Sequence, residues 1–166
     1  IRERRGLQVV VGYVFSRRHS RGGQDQQPDF PPDGNHDGQL LRALERGSAL
    51  FERCVTPVAL ALLKELLRRE IISRFAFYLA GGTGLALHLG HRVSEDLDFF
   101  TPRRFEPQEL AAALAGCFEA EVLGVAEGTL HVLFPEKARV SFLYYPYKVV
   151  FPLQEFCGCP VADPRD

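Results

Sequence analysis

The chain has 166 residues, of which 46% are hydrophobic and 25% are charged, and its formal net charge is -1. This composition is ordinary for a soluble globular protein. The balanced charge excludes a protein-wide field that would draw the chain to nucleic acid or membrane lipid. No apolar run approaches the roughly 20 residues of a membrane-spanning helix, so we expect no membrane partner. The four cysteines include no CxxC pair and are typical of free thiols, so we expect a cytoplasmic location.

Residues 1–48 differ in composition from the rest of the chain. The stretch "SRRHSRGGQDQQPDFPPDGNHDGQ" is rich in Gly, Pro, Gln, Asp and Arg and has few apolar residues. Such a stretch cannot bury enough surface to offset its ordering entropy. The sequence therefore predicts a disordered or loosely attached leader, with at most one strand at 7–15. Its arginines are interpreted as part of a solvated tail, with a nucleic-acid contact arm as the alternative.

The predicted domain, residues 49–166, begins with a helix, a strand and a second helix. Thr56 as N-cap and Pro57 at the first helical position predict a helix over "TPVALALLKELLRREIIS". The apolar run "FAFYLA" predicts a buried strand, and residues 83–90 predict a short helix that Gly90 ends.

The second half of the domain is predicted to be richer in strands. "DLDFF" predicts a strand, and residues 107–118 predict an amphipathic helix that a proline opens. "EVLGVA", "TLHVLF" and "ARVSFLYY" then predict three strands joined by short turns, with "KVVF" as a further edge strand. This order indicates an α+β fold, in which helices pack on a mixed β-sheet.

One segment, "YLAGGTGLALHLGHRVSEDLDFF", carries the candidate chemistry. Gly81 and Gly82 follow a strand and precede a helix, so the backbone there can adopt positive φ and can approach a ligand closely. A helix N-terminus suits a phosphate, and Thr83 adds a hydroxyl. Taken alone, this pattern is weak and is also typical of a plain strand-to-helix turn.

Two aspartates stand one residue apart in the next predicted strand. Side chains at i and i+2 of a strand point to one face, so Asp96 and Asp98 should project together. Paired carboxylates repel each other unless a cation lies between them, and hard divalent cations prefer such oxygen ligands. Arg92 and Ser94, in the preceding loop, are candidates for phosphate contacts. The alternatives are a solvated strand end for the aspartates and a surface pair with Glu95 for Arg92.

The stretch "FYLAGGTGLALHLGHRVSEDLDFFTP" resembles the signature of the AbiEii/AbiGii-type nucleotidyltransferases. These are toxins of type IV toxin–antitoxin pairs within the DNA polymerase β-like superfamily, whose pattern is a Gly-Gly/Ser turn, a helix and then Asp-x-Asp. "RVSFLYYPY" and "PVADPRD" are also similar to this family. The resemblance runs from about Thr56 to Asp166, and residues 1–48 have no part in it.

The resemblance implies a nucleotidyltransferase-like fold and a metal-dependent reaction. Asp96 and Asp98 would hold Mg²⁺ (or Mn²⁺), and Gly81, Gly82 and Thr83 would cradle the phosphates of an NTP. An acceptor hydroxyl would attack the α-phosphorus and release pyrophosphate. Some relatives add nucleotides to the 3′ end of tRNA, so tRNA or another RNA is the expected acceptor, and a winged-helix antitoxin is the expected partner.

Two departures from the family pattern leave other functions open. Relatives often carry a third carboxylate on a later strand, where this chain has Ser141. Relatives also continue into a helical half, which we expect this chain to lack. The alternatives are a degenerate NTP-binding module without catalysis and a phosphotransferase that acts on a small molecule.

Several other residues are weaker candidates. His88 and His91 are interpreted as packing or capping residues, and His131 as cross-strand surface. Three tyrosines, at the end of the strand "ARVSFLYY" or just after it, could stack a base, but aromatic residues in a sheet are more often core. They are Tyr144 and Tyr145, which end that strand, and Tyr147, which follows it.

Overall fold

A computed structural model describes residues 50–166 of the chain. The predicted leader at 1–48, with its strand at 7–15 and its arginines, lies outside the described residues. Within residues 50–166, no helix combines the length and the apolar character needed to cross a membrane.

The described part of the chain contains four α-helices, preceded by a short 3₁₀ helix at Glu52–Cys54. The α-helices are α1 (Pro57–Arg68), α2 (Ile71–Arg74), α3 (Gly81–Leu89) and α4 (Pro107–Ala115). The predicted start of α1 is confirmed, because the Ala59 N–H donates to the side chain of Thr56 at 3.2 Å. The prediction of one long first helix is wrong: Glu70 adopts a left-handed φ of 59° and separates α1 from α2.

Seven strands form one mixed sheet in the order β3-β4-β5-β2-β1-β7-β6. They are β1 (Tyr78–Ala80), β2 (Leu97–Thr101), β3 (Glu121–Ala126), β4 (Thr129–Leu133), β5 (Arg139–Tyr144), β6 (Gln154–Phe156) and β7 (Cys159–Val161). β2 pairs with β5 in parallel and with β1 antiparallel, and β1 pairs with β7 in parallel. The predicted α+β fold with a mixed sheet and packed helices is confirmed.

β2 separates the hydrophobic core from the candidate site. Leu97 and Phe99 are fully buried on one face of the strand, whereas Asp98 and Phe100 are half-buried on the other. Burial of each large apolar side chain contributes about 1.5–3 kcal/mol, so a one-residue shift of register would be costly. The core therefore fixes which face of the sheet presents the aspartates.

The helices cover the core face through regularly spaced apolar residues. Leu63 and Leu66 of α1 and Leu110 of α4 are fully buried in the same cluster as Phe99 and Phe142 of the sheet. This arrangement agrees with the helical spacing seen in the sequence.

The prediction of an edge strand at "KVVF" is wrong. The backbone N–H groups of Val150 and Phe151 donate instead to the carboxylate of Asp166, at 2.7 and 3.2 Å. The edge of the sheet beyond β1 is formed by the hairpin of β6 and β7. Its turn residues Cys157 and Gly158 both have positive φ. Two such residues are typical of a tight type I′ hairpin turn.

Candidate active site

The glycine pair lies in the first turn of α3, directly after β1. Gly81 has a φ of +60°, a left-handed conformation that costs a residue with a side chain about 1–2 kcal/mol. A Cβ atom built on Gly81 would lie 2.8 Å from Oδ2 of Asp98. Glycine at this position therefore permits both the sharp entry into the helix and the close approach of the carboxylate.

The N-terminus of α3 has no side-chain cap. Ala80 occupies the N-cap position without a side-chain hydrogen bond, and the first turn contains no acidic residue. The first N–H groups of a helix lack partners within the helix, and the helix dipole favours an anion there. The guanidinium of Arg92 lies beside Gly82, where a Cβ atom would overlap it. This end of α3 can therefore accept a phosphate.

Arg92 is exposed in the loop before β2. Within residues 50–166 it forms no ion pair with Glu95, the alternative that the sequence left open. Its guanidinium lies beside the N-terminus of α3, and its positive charge also opposes the rise in the pKa of Asp96.

Asp98 is the second residue of β2, in the middle of the sheet, and Asp96 directly precedes this strand. Asp98 is in register with Ala80 of β1 and Ser141 of β5. The pKa of Asp96 is raised, chiefly because surrounding protein atoms desolvate its carboxylate; the positive charge of Arg139 opposes this shift and the negative charge of Asp98 adds to it. The negative charge of Asp98 therefore disfavours the charged form of Asp96.

Asp96 and Asp98 offer carboxylate oxygens, the ligand type that hard divalent cations prefer. Among residues 50–166 there is no group of three or more His, Cys, Asp or Glu side chains that could hold a metal ion. Mg²⁺ in phosphoryl-transfer sites is commonly held by one or two carboxylates, because substrate phosphates and water fill its other positions. Asp96 and Asp98 can supply those two ligands, and the neighbouring N-terminus of α3 can hold the phosphates.

Thr83 and Ser94 are buried in the protein. The Thr83 side chain is 1% exposed, and its hydroxyl is hydrogen bonded to Ser94 Oγ at 2.7 Å and to the backbone carbonyl of Asp96. The Ser94 N–H donates to the carbonyl of Cys54 at 2.8 Å. These bonds hold α3 against the segment that leads into β2. Any contact of Thr83 with a phosphate would therefore use its backbone N–H.

Two residues of β5 complete the surroundings of the carboxylates. Ser141 lies beside Asp98 in the parallel pairing, at the place where the family pattern suggested a third carboxylate. Its Oγ lies 3.1 Å from Nδ1 of His131, which is exposed on β4. Sequence reasoning missed Arg139, although it stands two residues before Ser141 and therefore points to the same face.

The tyrosines after β5 are more exposed than core residues. Tyr145 is 42% and Tyr147 is 65% exposed, so the interpretation of both as core is wrong. Phe100, on the same face of β2 as Asp98, contacts Tyr145 edge-to-face at 5.8 Å, and Tyr145 contacts Tyr147 at 4.8 Å. This aromatic row (Phe100, Tyr145 and Tyr147) starts two residues along the strand from Asp98.

His88 has a structural role, as predicted. It is buried, and its Nε2 lies 2.8 Å from the carbonyl oxygen of Ala162, which requires the proton on Nε2. Desolvation lowers the pKa of His88. The ring therefore ties α3 to the segment after β7.

A family model described as "Nucleotidyl transferase AbiEii toxin, Type IV TA system" matches residues 63–156, which is more than half of the chain. The chain belongs to this family of nucleotidyl transferase toxins. The matched range includes both glycines, both aspartates and Ser141.

Two individual proteins are similar to the chain over shorter spans. The uncharacterized protein aq_aa25 of Aquifex aeolicus (strain VF5) is 34% identical over 76 residues, which cover 45% of this chain and 36% of that protein. The crystal structure of JHP933 from Helicobacter pylori aligns with 70% of this chain and 55% of that chain, at 19% identity and a TM-score of 0.39. The chain thus spans about a third of the curated relative that it matches.

Proposed function

We propose that the chain is a metal-dependent nucleotidyltransferase and the toxin of a type IV toxin–antitoxin pair. It would transfer NMP from an NTP to the hydroxyl of an acceptor such as tRNA. One observation carries the proposal: Gly81 lies so close to Asp98 that a Cβ atom would come within 2.8 Å of its carboxylate. The phosphate-binding helix end and the carboxylate pair are therefore parts of one site.

Each residue of this site has a role that follows from its position. The N–H groups of Gly81, Gly82 and Thr83 would bind the β- and γ-phosphates at the uncapped end of α3. Arg92, beside Gly82, would donate to a phosphate oxygen. Buried Ser94 would act indirectly, because it holds Thr83 in place.

Asp96 and Asp98 would bind Mg²⁺, or Mn²⁺, through their carboxylate oxygens. They would hold the ion where it could supply positive charge to the phosphates of the NTP and to the pyrophosphate that leaves. Desolvation and the neighbouring Asp98 raise the pKa of Asp96, so a cation between the carboxylates would relieve an existing repulsion. Arg139, at the start of the neighbouring strand β5, offsets part of that negative charge.

The aromatic row supplies a surface for a base. Tyr145 and Tyr147 are exposed, and base–aromatic stacking is worth about 1–3 kcal/mol per base. Phe100 lies two residues after Asp98 on the same face, a separation of about 7 Å along a strand. A nucleotide bound with its phosphates at Gly81 could therefore direct its base toward these rings.

The partners follow from the family and the reaction. A type IV toxin–antitoxin family implies an antitoxin partner, and we propose a winged-helix protein for that role. We propose tRNA, or another RNA with a free 3′ hydroxyl, as the acceptor, and a cytoplasmic location where such RNA is present.

Labelled nucleotides test the reaction directly. The chain is incubated with Mg²⁺, bulk tRNA and NTPs that carry the label at either the α- or the γ-phosphate, beside an Asp96→Ala/Asp98→Ala double variant. We expect the wild-type chain, but not the double variant, to transfer the α-phosphate label to the RNA. Transfer of γ-label would indicate a phosphotransferase, and equal α-labelling by both proteins would remove the assigned role of the carboxylates.

Ser141 supports a second candidate, an NTP-binding module without catalysis. A serine beside Asp98 is a weaker metal ligand and a weaker base than a carboxylate would be. Calorimetry separates the two candidates: Mg²⁺-dependent NTP binding without pyrophosphate release would favour the binding module.

A further inference from the structure

Asp98, Ser141 and His131 form a row across three neighbouring strands. Asp98 is in register with Ser141 in the parallel pair of β2 and β5, and Ser141 is in register with His131 in the antiparallel pair of β4 and β5. Residues in register lie on the same face of a sheet. The row therefore places one hydroxyl between a carboxylate of the proposed metal site and an imidazole.

The hydroxyl of Ser141 has a base within reach. Nδ1 of His131 lies 3.1 Å from Ser141 Oγ, within the range expected for a nucleophile and its general base. In the tautomer that carries its proton on Nε2, the ring accepts the hydrogen bond that Ser141 donates. His131 is exposed and Ser141 is half-buried, so this side of the sheet is open to a ligand.

The other hydroxyls beside the aspartates are already committed. Thr83 and Ser94 are buried and hydrogen bonded to each other, and Thr83 also bonds to the backbone of Asp96. Among these three hydroxyls near the carboxylate pair, Ser141 alone combines an open position with a neighbouring imidazole.

We propose that Ser141 is a site of self-nucleotidylation. The proposal rests on the function proposed above, which supplies the NTP and its position. The Oγ lone pair forms a bond to the α-phosphorus, and the bond from that phosphorus to the oxygen bridging the β-phosphate breaks. The electron pair of the broken bond leaves with pyrophosphate, and the Ser141 proton passes to Nδ1 of His131. The product is a phosphodiester between Ser141 and the nucleoside.

This reaction would regulate the same site. The attached nucleotide would lie directly beside Asp98, because Ser141 is its register partner on β5. It would fill the space that the next NTP needs. A chain incubated with NTP in the absence of RNA should therefore lose its transfer activity as the modified fraction rises.

The test uses the full chain, Mg²⁺ and α-labelled NTP without any acceptor, followed by intact mass measurement and peptide mapping. We expect the mass of one NMP on the peptide that contains Ser141, and no label from γ-labelled NTP. Ser141→Ala should abolish the modification. His131→Asn, which keeps a polar group but removes the base, should slow it at least about 100-fold, the lower range of general base catalysis.

A distant serine provides the control. Ser73 is exposed on α2, and its hydroxyl is hydrogen bonded to the Glu70 carbonyl, so Ser73→Ala should be modified as fast as the wild type. Ser141→Thr keeps a hydroxyl and should retain measurable modification, which separates chemistry from misfolding. The same preparations are also tested with tRNA. Label on the RNA without modification of Ser141 would overturn this inference and leave the proposed function standing, whereas label on neither would overturn both.

Discussion

Gly81→Ala perturbs the contact between the glycine turn and Asp98. The left-handed backbone alone should cost about 1–2 kcal/mol, or roughly 2–8 °C in Tm for a chain of this size. The new Cβ would lie 2.8 Å from Asp98 Oδ2, whereas ordinary contacts begin near 3.4 Å, so the carboxylate must move by about 0.6 Å. Because a misplacement of about 1 Å can cost 10²-fold in rate, we expect nucleotidyl transfer to fall by roughly 10-fold or more.

Gly158→Ala is the matched control for this variant. Gly158 has a φ of +86° in the turn between β6 and β7, and a Cβ atom there would meet nothing within 4 Å. Thermal melts should show a similar loss of stability for both variants, whereas label transfer from α-labelled NTP should fall only for Gly81→Ala. If Gly81→Ala transferred label as fast as Gly158→Ala at a temperature where both are folded, the proposed contact would have no catalytic importance.

Three further measurements concern the hydroxyl of Thr83, the aromatic row and the pKa of His88. Thr83→Val removes the hydroxyl that joins Ser94 to the Asp96 backbone, and urea melts should show a loss of about 1–3 kcal/mol that Thr83→Ser largely restores. Tyr147→Ala should weaken NTP binding by about 1–3 kcal/mol, or roughly 5- to 150-fold, in calorimetric titrations, whereas Tyr147→Phe should bind normally. Desolvation lowers the pKa of His88 in the folded state, so the unfolded chain binds the proton first as pH falls. The free energy of unfolding should therefore decrease as the pH falls below about 6.5, the ordinary pKa of histidine. His88→Gln should make this decrease smaller.

Most helices and strands could be predicted because their signals are local. Thr56 and Pro57 begin α1 as expected, and Gly90 ends α3 in the left-handed conformation that glycine favours. Gly128, in the short turn between β3 and β4, also has positive φ. In each case the residue that determines the conformation lies within the element or beside it.

The wrong prediction of a strand at 148–151 involves a residue that is distant in sequence. "KVVF" has the composition of a strand, but the carboxylate of Asp166 takes the N–H groups of Val150 and Phe151. No local pattern reveals that bond. The hairpin of β6 and β7 was missed because its strands are only three residues each, at Gln154–Phe156 and Cys159–Val161, which is too short for alternation to be recognised.

Part of the candidate site could be predicted from the sequence. Strand alternation predicts that Asp96 and Asp98 share a face, and the structure has them interacting. The proximity of Gly81 to Asp98 could not be derived in this way, because it depends on the antiparallel register of β1 and β2. The buried positions of Thr83 and Ser94 depend on how α3 packs against the loop before β2, which spacing along the chain does not specify.

If the turn at Gly81 and the carboxylates of Asp96 and Asp98 form a single site for a metal-bound nucleotide, NTP binding must depend on both the metal and the carboxylates. Calorimetric titration of NTP, with and without Mg²⁺, into the wild-type chain and into an Asp96→Asn/Asp98→Asn variant of nearly the same shape measures this dependence. We expect binding that requires Mg²⁺ in the wild type and is lost in the variant. Equal binding by both proteins, with or without Mg²⁺, would mean that the carboxylates take no part in a nucleotide site.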